Sequence, residues 1–192
     1  MPDVSTRDIV YIALFAALVA ALGALPPLTL ATGVPITAQS MGAMLAGAVL
    51  GARRGALSQL LFLLLVAAGL TLLAGGRGGL GVFAGPTGGF LLSWPVAAYV
   101  IGWLHERFWD RLNFALSLGI ILLGGVVVVY AIGNAWLSYA APMPYLKATL
   151  AAGPFLPGDL LKAVLSASVA LTVRRTYPLI VPPRPPSQHA QP

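Results

Sequence analysis

Two ionisable side chains stand three residues apart in Pro157-Gly158-Asp159-Leu160-Leu161-Lys162, at the head of a long apolar run. Three-residue spacing places a carboxylate and an ammonium on one face of a helix, where they can pair with each other or with a ligand. Ionisable groups at membrane depth are costly and mark functional sites by default, and Asp159 and Lys162 fit that description. The alternative is a salt bridge that only fixes helix packing. Other polar groups are expected to converge on the same end of the molecule: Thr37, Gln39 and Ser40, Arg77, and Tyr130, Asn134 and Tyr139. Each also has a plainer reading, since Gln39 or Asn134 can serve as an interhelical hydrogen bond, Tyr139 as an interfacial belt residue and Arg77 as a solvated loop cation.

The stretch AGGRGGLGVFAGPTGG contains G-x-G-x-x-G at Gly76, Gly78 and Gly81. That spacing suggests dinucleotide binding only between a strand and a helix. No strand precedes it here, so the glycines are read as a folded-in loop whose backbone approaches helices or ligand closely, continuing through Thr87 and Gly88 into the next helix. Earlier in the chain, Ala13, Ala17 and Ala21 recur every four residues with Ala20 and Ala24 beside them, a stripe suited to close helix approach within the bundle or against a partner.

The elements that position these residues are membrane helices. Of 192 residues 58% are hydrophobic and 8% charged, against roughly a quarter charged in a soluble domain. Residues Ile9 to Ala52, Gly55 to Gly76, Gly78 to Leu104 and Leu112 to Leu146 carry no acidic or basic side chain. Punctuation divides the chain into six spans, near residues 8–25, 36–50, 55–73, 86–105, 114–140 and 157–176. The first opens on a Ser5-x-x-Asp8 capping box. It is read as retained rather than as a cleaved signal, because Asp3 and Asp8 outweigh Arg7. The second is short for a crossing. Arg7, Arg53, Arg54, Arg107, Arg111, Arg174, Arg175 and Arg184, eight of the eleven Lys and Arg residues, fall on one side of this arrangement. Both termini are therefore expected in the cytoplasm. The fold class is an all-α integral membrane bundle, a single domain over 1–176 followed by a proline-rich cytoplasmic tail, 177–192, expected to be disordered.

Several activities are excluded or disfavoured. There is no cysteine, and His105 and His189 lie far apart, so no thiolate chemistry and no metal site is expected. The net charge of +6 sits between apolar runs, without interleaved exposed aromatics, and does not describe a nucleic-acid surface. No G-x-x-x-x-G-K-[ST] loop, H-E-x-x-H or Ser/His/Asp set is present, so the chain is read as no enzyme and as holding no cofactor.

Four segments, Pro35-Ile36-Thr37-Ala38-Gln39, Gly75 to Gly89, Tyr130-x-x-Gly133-x-x-Trp136-Leu137 and Pro154-Phe155-Leu156-Pro157-Gly158-Asp159 followed by Lys162, occur in an order that resembles the BioY family. These are biotin-specific S components of energy-coupling-factor (ECF) vitamin transporters. The resemblance covers nearly the whole chain. It implies six helices in a bacterial cytoplasmic membrane, capture of biotin from outside, and partnership with a transmembrane coupling protein (the T component) and two cytoplasmic ATPase subunits that use the ATP. It leaves homo-oligomerisation open. By the same resemblance Asp159, Lys162, Arg77, Gln39, Thr37, Gly88, Asn134 and Tyr139 are ligand contacts, and Ala13, Ala17 and Ala21 a docking surface for the coupling subunit. Asp159 could accept from the ureido N–H groups, and Lys162 or Arg77 could meet the carboxylate, with Trp and Phe side chains around the ring. Departures from the family pattern are Thr71, Arg77, Phe90 and Ser93. Competing readings are an S component for another vitamin, a membrane enzyme acting on a lipid with Asp159 as base, and a structural adaptor.

Overall fold

The computed structural model describes residues 5–29 and 35–180. The sequence also predicts a turn over Leu28 to Pro35 between the first two helices; its residues 30–34, Asp3 and the tail from 181 onward, with Arg184 and His189, lie outside the described residues. Helix α1 (Thr6–Gly23) opens on the expected capping box: Ser5 Oγ accepts from the Asp8 amide at 3.2 Å, and Asp8 Oδ2 accepts from the Ser5 amide at 3.0 Å. It turns Ala16 and Val19 inward and leaves Ile9, Val10, Leu14 and Leu18 exposed. A two-residue antiparallel ladder, β1 (Leu28–Thr29) with β2 (Pro35–Ile36), leads to α2 (Gln39–Leu50).

Helix α2 is the centre of the bundle. Ten of its 12 residues are buried, and Gly42 and Gly47 let it lie against Val19 of α1 and Ala98 of a later helix. At ~1.5 Å per residue it reaches about 18 Å, short of the ~30 Å hydrocarbon core, so protein rather than lipid surrounds most of it. The chain reverses at Gly51 into α3 (Ala52–Ala67), whose first amide, on Ala52, donates to the Glu106 carboxylate at 2.7 Å.

Helix α3 ends six residues before the expected boundary at 73. Gly69 adopts φ +106°, its amide bonds the Val66 carbonyl, and the Leu70 amide reaches back to Leu65. This is a Schellman stop, which requires the left-handed conformation that glycine adopts without penalty. The glycine-rich chain then folds back, forms the short α4 (Gly81–Ala84) and enters α5 (Gly88–Arg107).

Helices α6 (Phe114–Leu122) and α7 (Val129–Ala140) are joined by a π-helical turn at Leu123–Val128 into one 27-residue rod, Phe114–Ala140. A short α8 (Tyr145–Ala151) and a 3-10 turn (Gly153–Phe155) precede α9 (Leu156–Thr176). Ala163, Ala167 and Ala170 of α9 share a core with Met44 and Ala48 of α2, the small-residue packing expected between helices in lipid. Among the described residues three helical runs, Thr6–Gly23, Phe114–Ala140 and Tyr145–Thr176, are long and apolar enough to cross a membrane by themselves.

Most of the basic residues gather at one end. Asp8 pairs with Arg54 at 2.6 Å, Arg54 also donates to the Leu179 carbonyl, Arg174 donates to the Leu112 carbonyl, and Arg7 hydrogen-bonds Tyr177. His105 is held between the Ile101 carbonyl and Ser117 Oγ, each at 2.9 Å. The start of the 177–192 segment is drawn into this end, where Ile180 is buried. The glycine-rich loop and the start of α9 lie at the opposite end.

Candidate functional site

The 3-10 turn Gly153–Phe155 delivers the chain into α9 with Pro157 in its first turn, and Asp159 follows in that turn. A carboxylate there is favoured by the helix dipole. Asp159 is only 6% exposed, and both its oxygens are engaged: Oδ1 accepts from Lys162 Nζ at 2.9 Å and Oδ2 from the Tyr130 hydroxyl at 2.7 Å. Lys162 Nζ also donates to Ser40 Oγ at 3.0 Å. The result is a four-membered polar chain, Tyr130–Asp159–Lys162–Ser40, that links α7, α9 and α2. Each carboxylate oxygen keeps a second lone pair, and the ammonium keeps one N–H.

This chain lines a recess of about 460 Å³, counting its solvent-open part. Phe90 and Trp94 of α5, Phe155, Val129 and the bare backbone of Gly125 supply apolar walls, and Thr37 adds a hydroxyl. A second recess, about 320 Å³ on the same measure, shares Thr37, Phe90 and Trp94 with the first and is completed by Gln39, Leu73, Arg77, Thr87 and Leu91. Together they have the form of a small-molecule site: a concave, mostly apolar cleft with a few convergent polar groups.

Of the residues the sequence singles out, Thr37, Asp159 and Lys162 line the first recess, and Thr37 and Arg77 the second. The structure places the other four expected contacts as follows. Gln39 is 1% exposed, and its amide is engaged by backbone: Nε2 donates to the Val19 and Leu72 carbonyls at 3.1 and 3.0 Å, and Oε1 accepts from the Ala74 amide at 2.8 Å. It lines the second recess, but both its donors are already spent on the scaffold. Gly88 lines neither recess. A Cβ there would stand 1.9 Å from the Phe83 carbonyl oxygen and 3.0 Å from Trp136 Nε1, so its bareness serves the close approach of α4 to the start of α5 and, less tightly, that of Trp136 on α7. Asn134 is buried against α8, with Nδ2 3.5 Å from Thr149 Oγ1. Tyr139 is 80% exposed and contacts the Trp136 ring, as a belt tyrosine would.

Of the apolar walls the sequence names Phe90 alone, as a departure from the family pattern, and otherwise only Trp and Phe as residue types. Phe90 and Trp94 stand four apart on α5, a same-face spacing that could have drawn attention to the pair. Gly125 and Val129 had no such signal, because they are brought to the recess through the π turn. The Ala13, Ala17 and Ala21 side of α1 is exposed, turned away from the inward-facing Ala16 and Val19.

Residues 1–179 match the BioY family. The chain is 49% identical over 185 residues to the biotin transporter BioY of Rhizobium etli, covering 92% of this chain and 97% of that protein. It is 50% identical over 182 residues to the biotin transporter BioY of Rhodobacter capsulatus, covering 90% and 95%. A crystal structure of the S-component for biotin from an ECF-type ABC transporter superposes with a TM-score of 0.86 at 34% identity, covering 90% of this chain and 93% of that one.

Proposed function

The chain belongs to the BioY family, and from that premise we propose that it is the substrate-specific membrane subunit that captures biotin at the outer face of a bacterial cytoplasmic membrane. The observation that carries this reading is the Tyr130–Asp159–Lys162–Ser40 chain set in an aromatic-walled recess. Biotin matches it group for group. The free acceptor capacity of Asp159 suits the ureido N–H groups, the remaining Lys162 N–H suits the ureido carbonyl, and Phe90, Trp94 and Phe155 suit the thioether ring.

In this reading α1, α2, α3, α5, the α6–α7 rod and α9 are six crossings. The arginine-rich end is cytoplasmic, and the site end faces out. The protein is a transporter subunit, not an enzyme, and holds no cofactor of its own. The exposed small-residue side of α1 docks a transmembrane coupling protein, which two cytoplasmic ATPases drive with ATP. The site residues, the coupling partners and the six-span count are parts of this proposal.

Uptake tests it. Cells lacking any other biotin importer should accumulate labelled biotin when this chain is produced together with the coupling protein and ATPases. Accumulation should fall to background when the chain alone is omitted. Equal accumulation with and without the chain would overturn the proposal.

A further inference from the structure

We propose that Arg77 is the residue that recognises the carboxylate end of the ligand, and that Gln39 acts on the ligand by positioning Arg77. The assignment rests on the biotin reading and extends it to a part of the molecule that the polar chain around Asp159 does not reach.

The backbone places Arg77 firmly. Leu73 and Arg77 form a small hairpin, the Leu73 amide donating to the Arg77 carbonyl at 3.0 Å and the Arg77 amide to Leu73 at 3.2 Å. Gly75 and Gly76 close it at φ +78° and +68°, a left-handed pair that other residues rarely adopt. The buried Gln39 amide grips the entering arm of this turn on either side of Leu73, through the Leu72 carbonyl and the Ala74 amide, and ties it to α1 through Val19. Among the described residues the guanidinium itself is held only through Nε, which donates to the Ala74 carbonyl at 3.3 Å. Its terminal N–H groups, a fork suited to a carboxylate, have no protein acceptor among the described residues.

Charge bookkeeping leads to the same place. The described carboxylates are Asp8, Glu106, Asp110 and Asp159. The first three lie at the opposite end of the bundle, and Asp159 is taken by Lys162 and Tyr130. Arg77 therefore lines a recess without a counter-charge, while Lys162, the other candidate for the carboxylate, already has one. Because the two recesses share Thr37, Phe90 and Trp94, a ligand with its polar ring at Asp159 can run its chain past these residues toward Arg77. Biotin, a ureido bicycle with a flexible tail ending in a carboxylate, has that layout.

The test is equilibrium binding of biotin and of biotinamide, whose carboxyl charge is blocked, to the purified full chain. Wild type should prefer biotin. Arg77→Ala should weaken biotin by about tenfold to a hundredfold, the range for a lost charged hydrogen bond, while biotinamide binding persists and so reports a folded site. Arg77→Lys should restore part of the preference, as a point charge without the fork. Gln39→Met should lower the preference for biotin over biotinamide, and adding Arg77→Ala to it should lower that ratio no further than Arg77→Ala does alone. Equal losses of both ligands in Arg77→Ala, or a carboxylate-dependent loss that appears in Lys162→Met instead, would overturn the assignment while leaving the biotin reading intact. Failure of wild type to bind either ligand would defeat the biotin reading and this assignment with it.

Discussion

Asp159→Asn is expected to weaken biotin binding by about tenfold to a hundredfold, corresponding to ~1–3 kcal/mol for a mismatched polar contact. The substitution keeps volume but replaces one acceptor by a donor in a position where Tyr130, Lys162 and the ureido N–H groups all donate toward the carboxylate. It also leaves the Lys162 ammonium without a counter-charge, facing only the neutral acceptors of the new amide and Ser40. Lys162→Met has the complementary fault, since it strands a nearly buried carboxylate, and removing one partner of a buried pair costs on the order of 3–5 kcal/mol. Both single variants should therefore melt at lower temperature than wild type and bind biotin weakly. The double variant Asp159→Asn/Lys162→Met separates ligand chemistry from packing. Its melting temperature should recover, because no unpaired charge remains, but its affinity should not. Recovery of both would mean that the pair exists only to fasten α9.

Ala17→Trp is expected to abolish co-purification with the coupling subunit while the variant still binds biotin. Helix α1 fully buries only Ala16 and Val19, so its Ala13, Ala17 and Ala21 side is open for a helix of another chain. Close approach there depends on the absence of bulk, and an indole at the middle of the stripe would hold the two backbones apart. Affinity purification of tagged variants with the coupling protein and ATPases, paired with a biotin-binding assay on the same preparation, measures both properties. Loss of biotin binding together with assembly would place the stripe inside the bundle's own packing, against its exposure.

Some of this architecture is legible in residue order alone, and the failures have physical causes. The capping box at Ser5 and Asp8, and the collection of arginines at the end opposite Asp159, depend on local spacing and charge, which a sequence displays directly. The end of α3 does not. Residues through Leu73 stay uncharged and, Thr71 apart, apolar, so hydropathy runs straight over Gly69, where backbone conformation stops the helix. Tyr139 could have been set apart from Tyr130 by periodicity, because nine residues at ~100° each place it about 180° around an α-helix. The π turn was hidden, since nothing in Leu123–Val128 distinguishes it from ordinary helix. Turns of this kind often occur at functional sites, and this one carries Gly125 to the wall of the recess. Gln39 shows a different limit: its sequence position predicts proximity to the site, which holds, but only the backbone fold reveals that its amide is consumed by Val19, Leu72 and Ala74.

The central claim is that the cleft between α2, α5, α7 and α9 is a biotin site, and equilibrium titration of the purified, folded chain with labelled biotin tests it most directly. Saturable binding at one biotin per chain, displaced by unlabelled biotin and weakened in Asp159→Asn, is the result predicted. A chain that remains folded and monodisperse yet shows no saturable biotin binding, or that binds biotin equally well with and without the Asp159 carboxylate, would contradict it.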